Sequence, residues 1–217
     1  MFDFPVATAV HRRMPKETFY RHLPFTRILR EKFISEVDRL FVEYSFTKES
    51  LNLTVDSEIK EILVLSVYLK KQEFDAKIAE AIAKQNPHKL VFLFRHEEKY
   101  QFALYHGKLY RTPWMSDNEM QLTARGFSLD EIWTALIEQI ALYGEKAAKT
   151  SGYSVDERIA LQEQINKLEK KIEKAEIEAW KEQQPKKQFG LYSRLQTYKK
   201  KLEELKGGQN TPHSGAF

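Results

Sequence analysis

The spacing of hydrophobic positions changes along the chain, and each spacing predicts a different element. From Lys16 to Tyr44 the apolar residues recur at steps of three and four, with an interruption near Pro24. This period predicts an amphipathic helix that faces a core. Its apolar stripe comprises Ile28, Leu29, Phe33, Ile34, Val37, Leu40 and Phe41. The preceding segment, Met1 to Pro15, is expected to be extended and loosely structured.

The middle of the chain is typical of strands separated by one helix. Segment 58–70 is rich in β-branched and aromatic residues, which predicts a strand, and segment 74–85 predicts a helix. Segment 90–94 (LVFLF) is continuously hydrophobic, so we expect a central strand buried on both faces. A polar turn at 96–99 then opens a small meander of two further strands.

A helix start is encoded at Ser128. The segment Ser128-Leu129-Asp130-Glu131 matches a capping box, in which the serine and the glutamate each satisfy a backbone amide at the helix start. The apolar positions after it predict a helix to about Tyr143, with Gly144 as its stop.

The C-terminal part has a different pattern, in which charged residues surround two apolar seams. The first seam is Leu161, Ile165, Leu168, Ile172, Ala175 and Ala179, and the second is Leu191, Leu195, Tyr198, Leu202 and Leu205. Alternating steps of four and three are typical of the a and d positions of a coiled coil. Because Pro185 separates the seams, we expect an antiparallel helical hairpin; a straight helix that dimerises in parallel is the alternative.

These elements predict an α+β (or α/β) fold with a helical appendage. The expected organisation is a compact mixed helix/sheet domain at residues 1–144, a linker at 145–154, an antiparallel coiled-coil hairpin at 155–206 and a disordered tail at 207–217. The order of strands in the sheet does not follow from the sequence.

The composition narrows the kinds of site that the chain can carry. The 217 residues include no cysteine, which excludes disulfides, cysteine-based zinc sites and a thiol nucleophile. Phosphate-loop, dinucleotide-binding, HExxH and GxSxG motifs are also missing, so we expect no cofactor and no resident metal. Neither a signal peptide nor a bilayer-spanning stretch is apparent, and the cytoplasm is the expected location.

The strongest candidate for a binding site is a basic and aromatic segment near the N-terminus, from His11 to Arg30. The net charge of +4 permits contact with nucleic acid without proving it. Phosphates are contacted by cations and bases stack on exposed aromatic rings. The alternative is a core-facing helix whose cations are merely solvated. The candidate phosphate-binding residues are Arg12, Arg13, Lys16, Arg21, Arg27 and Arg30.

A second candidate site is a nuclease-like element. Glu97, Glu98 and Lys99 have the E-x-K spacing with which some nucleases hold magnesium and support the attacking water, and Asp75 or Asp56 would be the distant acid. The alternative is that these residues are solvated in a polar turn.

The hairpin is a candidate for binding a partner or for self-association. A helix pair that projects from a domain buries little against that domain's core, so its seam residues are available in principle to a second chain. The candidate partner-binding residues are Leu161, Ile165, Leu168, Ile172, Leu191, Leu195, Tyr198 and Leu202.

Several motifs spread over nearly the whole chain are characteristic. They are MFDFPVATAVHRRMPKETFY, FISEVDRLFVEY, EIKEILVLSVYLKK, LVFLF with YQFALYH and KLYRTPW, and FSLDEIWTALIEQI before a Lys/Glu-rich end. With them the chain resembles an uncharacterised bacterial and archaeal family that is catalogued only as a domain of unknown function. Its members are often encoded beside large helicases and DNA methyltransferases in phage-defence or restriction-like gene clusters.

The resemblance implies an accessory, non-catalytic subunit of a DNA-targeting assembly. DNA and a helicase or DNA methyltransferase subunit are the partners that it implies, and it transfers no catalytic residue. Two other functions stay open from the residues alone: a metal-dependent nuclease, and a purely structural protein-interaction module.

Overall fold

The protein has an α+β fold built from a six-stranded mixed sheet and helices. The computed structural model describes residues 4–18, 25–119, 121–144 and 152–207. The chain divides into two compact units: an α+β unit, residues 1–143, and a helical hairpin unit, residues 144–217.

The sheet lies in the α+β unit. Its strands are β1 (Ala9–Met14), β2 (Val37–Phe46), β3 (Ile62–Leu69), β4 (Lys89–His96), β5 (Lys99–His106) and β6 (Lys108–Arg111). Three helices of this unit lie wholly within the described residues: α1 (Arg27–Glu36), α2 (Lys77–Gln85) and α3 (Leu129–Ala141).

The strands follow one another across the sheet in chain order, β1 to β6. Only the β3–β4 pair is parallel, and α2 makes the crossover between these two strands. The other neighbouring strands are antiparallel. A parallel pair needs such a crossover, whereas tight turns suffice for the antiparallel meander from β4 to β6.

The prediction of a central, doubly buried strand at 90–94 is confirmed. Each of these residues of β4 is at most 3% exposed. Phe92 and Phe94 belong to a core cluster with Phe33 of α1 and Ile78 of α2. Trp114 is partly buried against the same cluster. Since successive side chains of a strand point to opposite faces, β4 contributes to the core on both sides of the sheet.

The prediction of one helix from Lys16 to Tyr44 is wrong after Glu36. Helix α1 ends there, and β2 pairs with β3 from Val37 opposite Leu69 to Phe46 opposite Ile62. Leu40 and Val42 of β2 are buried while Asp38 and Arg39 are exposed. The β-branched and aromatic residues of this segment suit a strand that gains two neighbours, and this pairing outweighs the apparent helical period.

The N-terminal segment is more ordered than expected. Residues 9–14 form strand β1, which pairs antiparallel with β2 at the edge of the sheet. The predicted interruption near Pro24 lies outside the described residues.

The predicted helix start at Ser128 is confirmed, with one shift in its hydrogen bonds. The Ser128 hydroxyl accepts from the Glu131 amide at 3.2 Å. The Glu131 carboxylate accepts from the amide of Phe127 at 2.8 Å, one residue before the position expected in a capping box. The inward face of α3 is buried throughout, at Ile132, Trp133, Leu136, Ile137 and Ile140.

The hairpin unit consists of α4 (Val155–Lys181) and α5 (Pro185–Gly207). Lys199 pairs with Glu176 at 2.8 Å, and Lys206 pairs with Glu169 at 2.7 Å, so the two helices run antiparallel. Pro185 occupies the first position of α5, where its missing N–H costs no hydrogen bond. The predicted seam residues of both helices are buried or half-buried.

The knobs-into-holes packing that defines a coiled coil stays a prediction for the hairpin. The expected linker lies largely, and the expected disordered tail almost wholly, outside the described residues, although α5 itself extends through Gly207.

Candidate nucleic-acid interface

Two adjacent arginines lie on the edge strand of the sheet. Arg12 is opposite Val42 and Arg13 is opposite Phe41 in the β1–β2 pairing. Both side chains are exposed, and within the described parts of the chain neither has an ion-pair or hydrogen-bond partner. Because successive residues of a strand point to opposite faces, the two guanidinium groups flank the edge of the sheet.

A shallow cleft begins beside Arg13. It measures about 350 Å³ and also contains Lys16, Glu17, Asp38 and Arg39 among its lining residues. Three cations therefore share one depression with two carboxylates. Arg39 lies 3.7 Å from Asp38, and both side chains are about half exposed, so this ion pair is weak. The cleft keeps a positive balance.

Lys16 is held in a fixed position. Its ammonium donates a hydrogen bond to the backbone carbonyl of Val37. Burial lowers the pKa of Lys16 below its ordinary value, and the positive charge of Lys70 lowers it further. Lys70 in turn donates to the carbonyl of Ile34 at 3.0 Å. Lys70 is thus a further cation close to Lys16. We call Arg12, Arg13, Lys16 and Arg39 the basic edge.

A buried carboxylate of β2 anchors β1, the strand that carries Arg12 and Arg13. Glu43 of β2 is 7% exposed, and its carboxylate lies 2.7 Å from His11 Nδ1 and 3.6 Å from Arg95 Nη2. His11 also stacks on Phe41, with 5.7 Å between ring centroids. The backbone at His11 has φ of +47°, where the β1–β2 register shifts. These contacts fix β1 immediately before Arg12.

Arg95 connects this carboxylate to aromatic rings across the sheet. Its guanidinium donates to the Tyr68 hydroxyl at 3.3 Å and lies 5.5 Å from the ring centroid of Tyr100. Arg39 lies 4.4 Å above the ring of Tyr68. Burial raises the pKa of Tyr44 above its usual range, and the charge of Glu43 adds to this effect. Aromatic rings of β3 and β5 therefore position one cation of β2 and one of β4.

The other predicted phosphate-binding residues are placed differently. Arg27 and Arg30 lie exposed on α1, and Arg27 Nε donates to Glu31 at 3.0 Å within the same helix. Arg21 lies outside the described residues. The structure brings Arg13 and Lys16 into one cleft with Arg12 beside them, but gives no such cluster to α1.

Sequence reasoning missed Arg39 as a member of this site. Arg39 lies in the segment from Lys16 to Tyr44 that the apolar period predicts as one helix. The signal that could have identified a strand there is the apolar residue at every second position from Leu40 to Phe46.

The nuclease-like element lies in an exposed turn. His96 pairs with Lys99, which leaves Glu97 and Glu98 as the two turn residues, and φ at Glu97 is +52°. This geometry is that of a tight hairpin turn. The candidate distant acids are engaged elsewhere: Asp75 with Lys32 at 2.7 Å and Asp56 with Lys48 at 2.5 Å. Within the described ranges, no group of three or more His, Asp or Glu residues is placed to hold a metal ion.

The candidate partner-binding residues lie between the two helices of the hairpin. Ile165 and Leu195 are buried, and the other six are half-buried. These apolar side chains are therefore used in packing α4 against α5. Partner binding through them stays a prediction.

Comparison with known families gives one match. A family described as a domain of unknown function (DUF4391) matches residues 2–202. The chain belongs to the DUF4391 family. It matches no curated protein and no solved structure. The match covers both units, so in this DUF4391 chain the family's domain includes the hairpin as well as the sheet.

No helix in the parts of this DUF4391 chain that the structure describes is both long and apolar enough to span a membrane.

Proposed function

We propose that the α+β unit binds nucleic acid through its basic edge, as an accessory, non-catalytic subunit of a bacterial DNA-targeting assembly. The observation that carries this proposal is the pair Arg12 and Arg13, adjacent on an edge strand, exposed, and without a partner among the described residues. Guanidinium groups that have no competing partner can bind phosphate oxygens through two parallel hydrogen bonds without first breaking an ion pair.

The charge around the pair favours a polyanion over a small ligand. Lys16 and Arg39 extend the basic edge along a shallow cleft. Each phosphate that these residues neutralise releases counterions, so the binding energy depends on salt concentration. Contacts to phosphate oxygens carry no sequence information, and we therefore expect affinity for the phosphate backbone with little dependence on sequence.

The assembly itself follows from the family resemblance. A helicase or a DNA methyltransferase of a phage-defence or restriction-like system is the protein partner that we propose. In this arrangement the partner performs the reaction, and the α+β unit adds affinity for DNA. The hairpin would then dock the partner or a second copy of the chain.

The test is a comparison of two double substitutions that remove the same charge. Arg12→Ala with Arg13→Ala removes half of the basic edge, while Arg27→Ala with Arg30→Ala removes two exposed arginines of α1. Fluorescence anisotropy with labelled duplex DNA across a salt series would give the affinity and its salt slope. We expect the first variant to lower the slope by about 2 and the second to change it by less than about 1.

Three results would contradict the proposal. Salt-independent binding in the unaltered protein would show that phosphate contacts do not supply the affinity. Equal losses in both variants would show an effect of net charge rather than of the basic edge. Absence of binding to DNA and RNA would favour a protein-interaction module instead.

A further inference from the structure

The end of the hairpin exposes a cluster of large hydrophobic side chains. Trp180 is 83% exposed, Phe189 75%, Ile177 48% and Tyr192 45%. We call these four residues the aromatic tip. They come from the last turns of α4 and the first turns of α5, on either side of the connection at 182–184.

Two of the three rings, those of Trp180 and Tyr192, lie on one side of the hairpin. In α4, Trp180 follows Glu176 by four positions, and in α5, Tyr192 precedes Lys199 by seven, so each pair shares a helix face. Glu176 and Lys199 bridge the two helices at 2.8 Å. Trp180 and Tyr192 therefore flank the same side, and Phe189 is one turn from Tyr192.

Packing within the hairpin does not explain these side chains. The seam at this end is formed by small residues, with Ala175 and Ala179 buried and Leu195 buried on the opposite helix. Gln188 donates from its side-chain amide to the carbonyl of Ala179 at 3.1 Å, which fastens the start of α5 to the end of α4. The rings thus project from a fixed framework.

The charges around the aromatic tip favour an anionic occupant. Lys181, Lys186 and Lys187 are exposed, and none has an ion-pair partner within the described ranges. Of the neighbouring acids, Glu178 is paired with Lys174 at 3.8 Å, and Glu182 accepts a hydrogen bond from the Gln184 amide at 2.9 Å. The three lysines still outnumber these two carboxylates. Two copies meeting tip to tip would bring these lysines together, so like-charge repulsion disfavours self-association here.

We propose that the aromatic tip binds single-stranded nucleic acid, with bases stacked on its rings and phosphates contacted by the surrounding lysines. Three of the four apolar side chains are planar aromatics, and base stacking on such rings is tolerant of sequence. Duplex DNA keeps its bases inside, which makes it a poor ligand for this surface. The site is separate from the basic edge and does not depend on it.

The experiment uses the full chain and three probes of similar length: oligodeoxythymidine, an abasic oligonucleotide and a DNA duplex. The substitutions are Trp180→Ala with Phe189→Ala. The control is Phe127→Ala with Tyr143→Ala, which removes two exposed aromatics from the α+β unit. We expect the tip variant to lose about tenfold or more of its affinity for oligodeoxythymidine. Affinity for the abasic probe, which offers phosphates to the basic edge but no bases to the tip, should be lower than that for oligodeoxythymidine and unchanged by the tip substitutions. The control should resemble the unaltered protein.

Equal affinity of the unaltered protein for oligodeoxythymidine and the abasic probe, or no effect of the tip substitutions, would overturn the proposal. Binding to vesicles of anionic phospholipid that the tip substitutions abolish, while oligodeoxythymidine binding persists, would also overturn it in favour of a lipid surface. The basic edge is assessed separately, because Arg12→Ala with Arg13→Ala should weaken oligodeoxythymidine and abasic binding alike.

Discussion

The two units place their large aromatic side chains in opposite environments. In the α+β unit, Phe33, Phe46, Phe92, Phe94 and Phe102 are all at most 1% exposed. In the hairpin unit, Trp180 and Phe189 are mostly exposed while Ala175 and Ala179 occupy the seam. A sheet with helices packed on it encloses a wide core, whereas two helices share only a narrow seam. Burial therefore accounts for these five phenylalanines of the first unit and leaves the rings of the aromatic tip without a packing role.

The largest effect is expected in the centre of the sheet. Phe92 is fully buried in β4 and stacks on Phe94, with 5.7 Å between ring centroids. Phe92→Ala should lower the free energy of unfolding by about 3–5 kcal/mol, because it removes a ring and leaves a cavity. Urea unfolding followed by circular dichroism measures this change. The control Phe92→Leu should cost less than about half as much; equal costs would mean that the site collapses around either side chain.

A smaller loss of stability is expected from a substitution in the seam of the hairpin. Leu195 is 4% exposed, and Leu195→Ala should cost about 2–3 kcal/mol. Hydrogen exchange read by mass spectrometry should show faster exchange in α4 and α5 with no change in β4. Gln196→Ala, at the adjacent exposed position, serves as the control. Faster exchange in β4 as well would show that the two units unfold together, which would weaken the contrast between them.

Elements with one strong local signal were predictable from the sequence. The LVFLF strand has a continuous apolar run, α3 begins at a serine that caps it, and the hairpin has two seams separated by a proline. Strand β2 was not predicted. The junction between α1 and β2 at Glu36 falls inside a series of apolar residues whose spacing is that of a single helix. The strand is defined by its pairing with β1 and β3, and pairing partners are not readable from one sequence.

Each candidate site also has a part that the sequence shows and a part that only the structure shows. Arg12 and Arg13 were identifiable as an adjacent basic pair, but the contribution of Arg39 depends on β2 being a strand beside β1. Trp180 lies one position after the seam residue Ala179, and Phe189 lies two positions before the seam residue Leu191; these offsets were a usable signal for exposed aromatics. The placement of Trp180 and Tyr192 on one side required the antiparallel register given by Lys199 and Glu176.

The ion pair between Lys32 and Asp75 in the α+β unit should make a small, pH-dependent contribution to the free energy of unfolding. The Asp75 carboxylate accepts hydrogen bonds from Lys32 Nζ at 2.7 Å and from the Lys77 amide at 2.9 Å. These bonds, that from Lys32 foremost, lower the pKa of Asp75 below its ordinary value. A carboxyl whose pKa is lower in the folded state stabilises the fold above its unfolded pKa, near pH 4, and this contribution disappears as the pH falls through the folded value.

Asp75→Asn should therefore reduce the free energy of unfolding at neutral pH by less than about 1 kcal/mol, since solvent screens the partly exposed pair. The difference between the unaltered protein and the variant should be constant above about pH 5 and shrink in more acidic solution. Thermal unfolding measured from neutral to acidic pH tests this. A difference that grows as the pH falls would contradict the assigned direction of the pKa shift.

The smallest loss of stability is expected from a substitution at Trp180 of the aromatic tip. Trp180→Ala should change the free energy of unfolding by less than about 0.5 kcal/mol, because an 83% exposed side chain has little packing to lose. Trp133, 5% exposed in α3, is the matched comparison, and its replacement by alanine should cost about 3–5 kcal/mol. Urea unfolding of both variants makes the measurement. A tryptophan that is neutral for stability is free to serve binding, whereas a large loss at Trp180 would mean that the hairpin depends on this ring and that the contrast between the two units has been drawn in the wrong place.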